Sequence, residues 1–124
     1  MQLNNVFLYN PVNRSDLVSI YNDSDYLFLH LNDHPALRKV LPSKIFEMST
    51  FNKTIIAGVS GYAADFIRNE ISSSFVFDPC NISQLVDFLK FDIPSNITER
   101  KYFKIKYRRS NIVNKMVDSI LSYI

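Results

Sequence analysis

Short apolar runs alternate with amphipathic ones along this chain, and that alternation limits the fold more than any other feature. "NVFLY" (5–9), "YLFLHL" (26–31), "TIIAGV" (54–59) and "SFVF" (74–77) are rich in β-branched and aromatic residues and read as strands. Between them, "RSDLVSIYNDS", the stretch from Pro42 to about Phe51, "SGYAADFIRNE" and "ISQLVDFLKF" carry helical spacing. Strands that alternate with helices predict an α/β domain whose mainly parallel sheet is covered on both faces, a partial Rossmann-like three-layer arrangement. "YLFLHL" is apolar on both sides, as a buried parallel strand requires.

The helices can be placed more closely. Leu17, Ile20 and Tyr21 share one face of the first, with Ser15 or Asp16 near its N-cap. Ile82, Leu85, Val86 and Leu89 share one side of the fourth. The tail, 92–124, holds one or two helices. Its last part repeats Ile112, Val113, Met116, Val117, Ile120, Leu121 and Ile124 at helical spacing, which predicts one broad buried stripe.

With 124 residues the chain is expected to form one domain, a core over 5–91 followed by the helical tail. No apolar run is long enough to span a bilayer, and "MQLNNVFLYNPVNRS" lacks the pattern of a secretory leader, so a cytoplasmic setting is expected. The sequons "NRS", "NDS", "NKT", "NIS" and "NIT" carry no weight there. Cys80, the single cysteine, has no partner for a bridge and no second ligand nearby, so it reads as structural and no metal is expected. A net charge of +2 is too small to imply a nucleic-acid partner.

Chemistry concentrates in "RKVLPSKIFEMSTFNKTIIAGVSG" (38–61), which contains both glycines of the chain. Pro42 suits the first position of a helix, and the amides of Ser43 and Lys44 then lie unpaired at its start beside the Lys44 side chain, a setting for a phosphate. Glu47 is four residues after Ser43, on the same helical face and about 6 Å further along, where its carboxylate would hold a group with two hydroxyls. A nucleoside diphosphate has that shape. Gly58 would let the backbone approach a ligand or take a positive φ, and Gly61 would open the next helix on the same crevice. Each residue also has an ordinary reading: Glu47 on a solvated face, Ser43 as a cap, Lys44 as a surface lysine and the glycines as turn residues.

With these residues in place, the chain resembles the C-terminal lobe of GT-B retaining glycosyltransferases of the family 4, or group 1, type. "NVFLYNPVNRSDLVSIYNDSDYLFLHL", "PSKIFEMSTFNKTIIAGVSGYAADFI" and "SSSFVFDPCNISQLVDFL" follow the family's order over residues 5–91, and "PSK-x-x-E" is similar to the branch acting in bacterial surface polysaccharide assembly. The resemblance implies transfer of a sugar from a nucleotide-diphosphate donor, with no other cofactor. It implies that Glu47, as the second acid of an E-x7-E motif, holds the donor ribose; the first acid falls at Lys39, a lysine. Pro42, Ser43 and Lys44 would face the sugar and phosphates.

The family's lobe begins with two further β-α units that bring the basic pair gripping the diphosphate, preceded by an acceptor-binding lobe, and this chain aligns after them. In the strand order 3-2-1-4-5-6, "NVFLY" is third and is not beside "YLFLHL" in the complete sheet. The expectation is therefore a missing N-terminal lobe or partner chain, or a homo-oligomer formed through exposed sheet edges. A non-catalytic nucleotide-sugar-binding or scaffolding subunit, or an inactive gene remnant, is the other reading.

His30 inside a strand and His34 before Pro35 are the only histidines, and no nucleophile elbow, G-x-x-x-x-G-K or G-x-G-x-x-G pattern is present. "ERKYFKIKYRRSNIVNK" holds seven of the fourteen basic residues with Tyr102, Phe103 and Tyr107 between them. It reads as a solvated helix anchored by its aromatics, with peripheral contact to an inner membrane face as a second role.

Overall fold

The computed structural model describes residues 3–91 and 99–124. In chain order these form α1 (Arg14–Asp23), β1 (Tyr26–His30), a 3-10 turn (Pro35–Lys39), α2 (Lys44–Met48), β2 (Thr54–Gly58), α3 (Tyr62–Glu70), β3 (Ser74–Phe77), α4 (Ile82–Leu89), α5 (Lys101–Lys106) and α6 (Arg109–Leu121). The strands make one open parallel sheet in the order β1-β2-β3, with Tyr26 opposite Thr54, His30 opposite Gly58 and Gly58 opposite Phe77. The expected α/β class with a parallel sheet is thus the observed one. The "NIT" sequon and the start of the tail lie outside the described residues.

Side chains alternate across the pleat, so each strand feeds two faces. Leu27, Ile55 and Ala57 enter the core with Ile45 and Met48 of α2, Ala63, Ala64 and Ile67 of α3, and Phe103 of α5. The other face carries Phe28, Ile56, Phe75 and Phe77. Here α4 contributes Phe88, stacked on Phe75 with centroids 3.6 Å apart, while Phe28 stays 56% exposed. Covering on both faces was expected. The first face is closed and the second only partly so, because β1 is an edge strand and not the fully buried strand its composition suggested.

Two local expectations are corrected, and two helices are placed more closely. "NVFLY" is not a strand: residues 5–9 pair with no sheet, and Phe7, Leu8 and Tyr9 are exposed, so no burial offsets the entropy of fixing an extended backbone. The cap of α1 is Asn13, whose side chain accepts from the Asp16 amide at 2.9 Å, with Ser15 and Asp16 beside it in the first turn as expected. Helix α2 starts at Lys44 and stops at Met48, because the Ser49 and Thr50 hydroxyls donate to the Ile45 and Glu47 carbonyls and the chain turns. On α4 it is Phe88 that packs, while Ile82 and Leu89 face solvent.

The largest correction concerns α6. The stripe from Ile112 to Ile124, expected to be buried, is exposed throughout, and no residue of the helix is buried. A periodic apolar stripe identifies the helix, not what covers it.

Candidate functional site

Helix α2 positions the residues that the sequence singled out. Its first bonds run from the Ile45 amide to the Pro42 carbonyl and from the Phe46 amide to the Ser43 carbonyl, which leaves the Ser43 and Lys44 amides ahead of the ladder. Ile45 and Met48 anchor the inner side in the core, so Lys44 and Glu47 emerge outward together. Lys44 Nζ donates to Glu47 Oε2 at 2.8 Å. That bond, with Tyr21 nearby, raises the Lys44 ammonium above its ordinary pKa. Glu47 is half-buried and Lys44 and Ser43 are exposed.

Although they are ion-paired, the two side chains line different grooves. Glu47 borders one of about 360 Å³ between α2 and α5, walled by Phe46, Thr50, Phe103, Lys104, Tyr107 and Arg108. The rings of Phe46, Phe103 and Tyr107 pack with centroids 4.6 to 6.2 Å apart and give it an aromatic floor. Lys44 borders a second groove, of about 360 Å³, with Tyr21 of α1 and Tyr26 and Phe28 of β1. The α2 face thus offers a carboxylate, a hydroxyl, aromatic surface and two further cations.

The glycines do not flank that face. Gly58 is buried with an ordinary φ, and an added Cβ would collide with the His30 imidazole and approach Phe77 Cζ to 2.6 Å. It is small so that side chains from both neighbouring strands can meet over it. Through this gap His30 Nε2 accepts a hydrogen bond at 3.1 Å from the amide of Cys80, which has a positive φ of 65° in the turn after β3.

Gly61 does adopt a positive φ, 61°, and a Cβ there would strike the Arg38 carbonyl and come within 2.9 Å of Arg38 Cβ. It seats the 3-10 turn against the start of α3. Lys39 closes that turn, exposed, and Pro42 lies between it and α2, half-buried. His34 caps the same turn, its Nδ1 accepting from the Ala36 amide at 3.2 Å. The structure therefore brings Lys44 and Glu47 together next to Ser43, sets Gly61 against Arg38, the residue before Lys39, and sets Gly58 against His30 and Phe77.

Sequence reasoning missed two groups. Arg100 is 4% exposed and donates from Nε, Nη1 and Nη2 to the carbonyls of Ser72, Phe51, Lys53 and Ser73 at 2.7 to 3.3 Å. Burial brings its pKa down to about 10, so it stays charged at neutral pH and ties the segments entering β2 and β3. Lys106 reaches both Glu70 oxygens, at 2.6 and 2.7 Å, joining α5 to α3. The basic and aromatic tail segment was visible in the sequence, and its aromatics anchor as expected at Phe103 and Tyr107. Its part in walling the Glu47 groove was not visible.

No protein-family model, curated protein or solved structure matches the chain. Among the described residues, no helix is long and apolar enough to cross a membrane.

Proposed function

We propose that the chain binds a nucleotide-diphosphate-sugar as the donor-binding portion of a glycosyltransferase, transferring to a glycan or lipid-linked acceptor in polysaccharide biosynthesis. The observation that carries this reading is the half-buried Glu47 carboxylate at a groove floored by Phe46, Phe103 and Tyr107. In this reading the aromatic floor receives the base and Glu47 accepts hydrogen bonds from the ribose hydroxyls. Lys104 and Arg108, which wall the same groove, meet the diphosphate, and Lys44 acts beside it through its ion pair with Glu47. A five-residue α2 supplies only a small dipole, so these side chains take over most of the phosphate contact expected of the helix tip.

Stabilising a departing diphosphate requires such positive charge, and the acceptor would be held by a further lobe or partner chain. No residue is assigned as general base. A nucleotide-sugar ligand fits a cytoplasmic setting, and the basic tail fits peripheral contact with an anionic inner membrane face.

A non-catalytic nucleotide-sugar-binding or scaffolding subunit is the second reading, favoured by the half-covered sheet face at Phe28, which suits completion by another chain. Titration calorimetry with UDP, GDP, dTDP and their hexose conjugates tests the shared claim. One of them should bind with a dissociation constant below 1 mM, and Glu47→Gln should weaken it about tenfold, roughly 1.4 kcal/mol, while pyrophosphate affinity stays unchanged. Absence of binding, or a Glu47→Gln variant with unaltered affinity, overturns the ribose assignment. Hydrolysis or transfer by the isolated chain would separate the first reading from the second.

A further inference from the structure

We propose that the apolar stripe of α6 is a docking face for a second copy of this chain, packed antiparallel across a two-fold axis between Met116 and Val117. The stripe consists of two adjacent ridges, Ile112-Met116-Ile120 and Val113-Val117-Leu121, with Ile124 in the turn that follows the helix, and every member is at least 42% exposed. Lys115 and Asp118 lie on the opposite, solvated side. Near its start the helix is tied to α5, where Asn111 Nδ2 donates to the Ile105 carbonyl at 2.6 Å.

Such a helix does not hold itself. Thirteen residues with four β-branched side chains and several Ser, Asn and Asp are below the length and propensity at which a helix persists alone in water. Packing against another surface must stabilise it.

Charge at the helix ends selects both the occupant and its direction. Arg108 is the N-cap and Arg109 the first residue, while the first turn has no acid and the last turn no base. This is the wrong placement for the helix's own dipole at both ends. Antiparallel pairing with a copy corrects both, because Arg109 of each meets the uncompensated C-terminal end of the other helix. A parallel pair would instead bring four arginines together. With the axis between Met116 and Val117, Val113 faces Ile120, Ile112 faces Leu121 and Met116 faces Val117, so these six meet apolar to apolar, while Ile124 lies beside Arg109 of the copy.

The surface on offer is sufficient for a modest dimer. The exposed parts of these seven side chains amount to roughly 500 to 700 Å² per copy, against about 800 Å² per partner in a standard interface. A dissociation constant on the order of 10 μM is expected.

Light scattering on the full chain between about 1 and 300 μM reads this directly: the mass should climb from 14.4 kDa toward twice that value. Val117→Lys should raise the dissociation constant at least tenfold and Arg109→Glu several-fold, with the body's unfolding midpoint unchanged. In a Cys80→Ser background, Met116→Cys should cross-link to itself with a short thiol reagent. Val113→Cys should link only when mixed with Ile120→Cys. A monomer at every concentration means the stripe is covered by the chain's own sheet face or by another protein, and overturns the proposal. A dimer indifferent to Val117→Lys, or self-linking of Val113→Cys, overturns it equally.

Discussion

Gly58 shows how a residue can be singled out for a reason the structure replaces. Read along the chain, a glycine at the end of a strand before "VSG" suggested backbone approach to a ligand. Its actual role depends on register, since His30 and Phe77 come from the two strands flanking it and meet where its side chain would be. Gly58→Ala should therefore cost about 2 kcal/mol through overpacking, read as a lowered urea midpoint. The double variant with Phe77→Leu should lose less than the sum of the two single changes. Arg100 was illegible for a related reason: its four carbonyl partners lie 27 to 49 residues away, and no local pattern marks an arginine that will be buried. Lys44 and Glu47 were legible because three residues on a helix fix their proximity.

Among elements, β1, β2, β3 and the helices α1, α3 and α4 could be read from periodicity, because the signal and the structure are both local. What failed was whatever depends on a neighbour: "NVFLY" needs an adjacent strand, the end of α2 is set by two hydroxyls, and the cover of α6 is not encoded in its stripe. The clasp between α3 and α5 belongs to this scale. Lys106 holds the Glu70 carboxyl below the usual carboxylate range, so its stabilisation is present above the unfolded value and is lost as pH falls through the folded one. The same bond raises Lys106, whose contribution is present below the ordinary lysine value and is lost as pH rises through the folded one. In urea titrations below about pH 5, Lys106→Met should flatten the pH dependence of the midpoint. An unchanged acid slope would remove the clasp from the account.

For the molecule as a whole, the three-strand sheet is closed on one face by α2, α3 and α5 and half-open on the other. Residues 3–12 bury no side chain in this packing and are exposed throughout. Deleting residues 1–12 should shift the thermal midpoint by less than about 2 °C. A larger loss would mean that "NVFLY" pairs with an edge after all.

The bond from His30 to the Cys80 amide joins positions fifty residues apart, and it has a consequence for the order in which the protein is made. A ribosome releases the chain from its N-terminus at about 5 to 20 residues per second. β1 and β2 therefore emerge seconds before the turn after β3 that completes their far side. During that interval Ile56, 4% exposed in the finished sheet, has neither β3 nor α4 beside it. The turn after β3 is thus the point in synthesis at which the His30 ring gains the partner that holds it over Gly58.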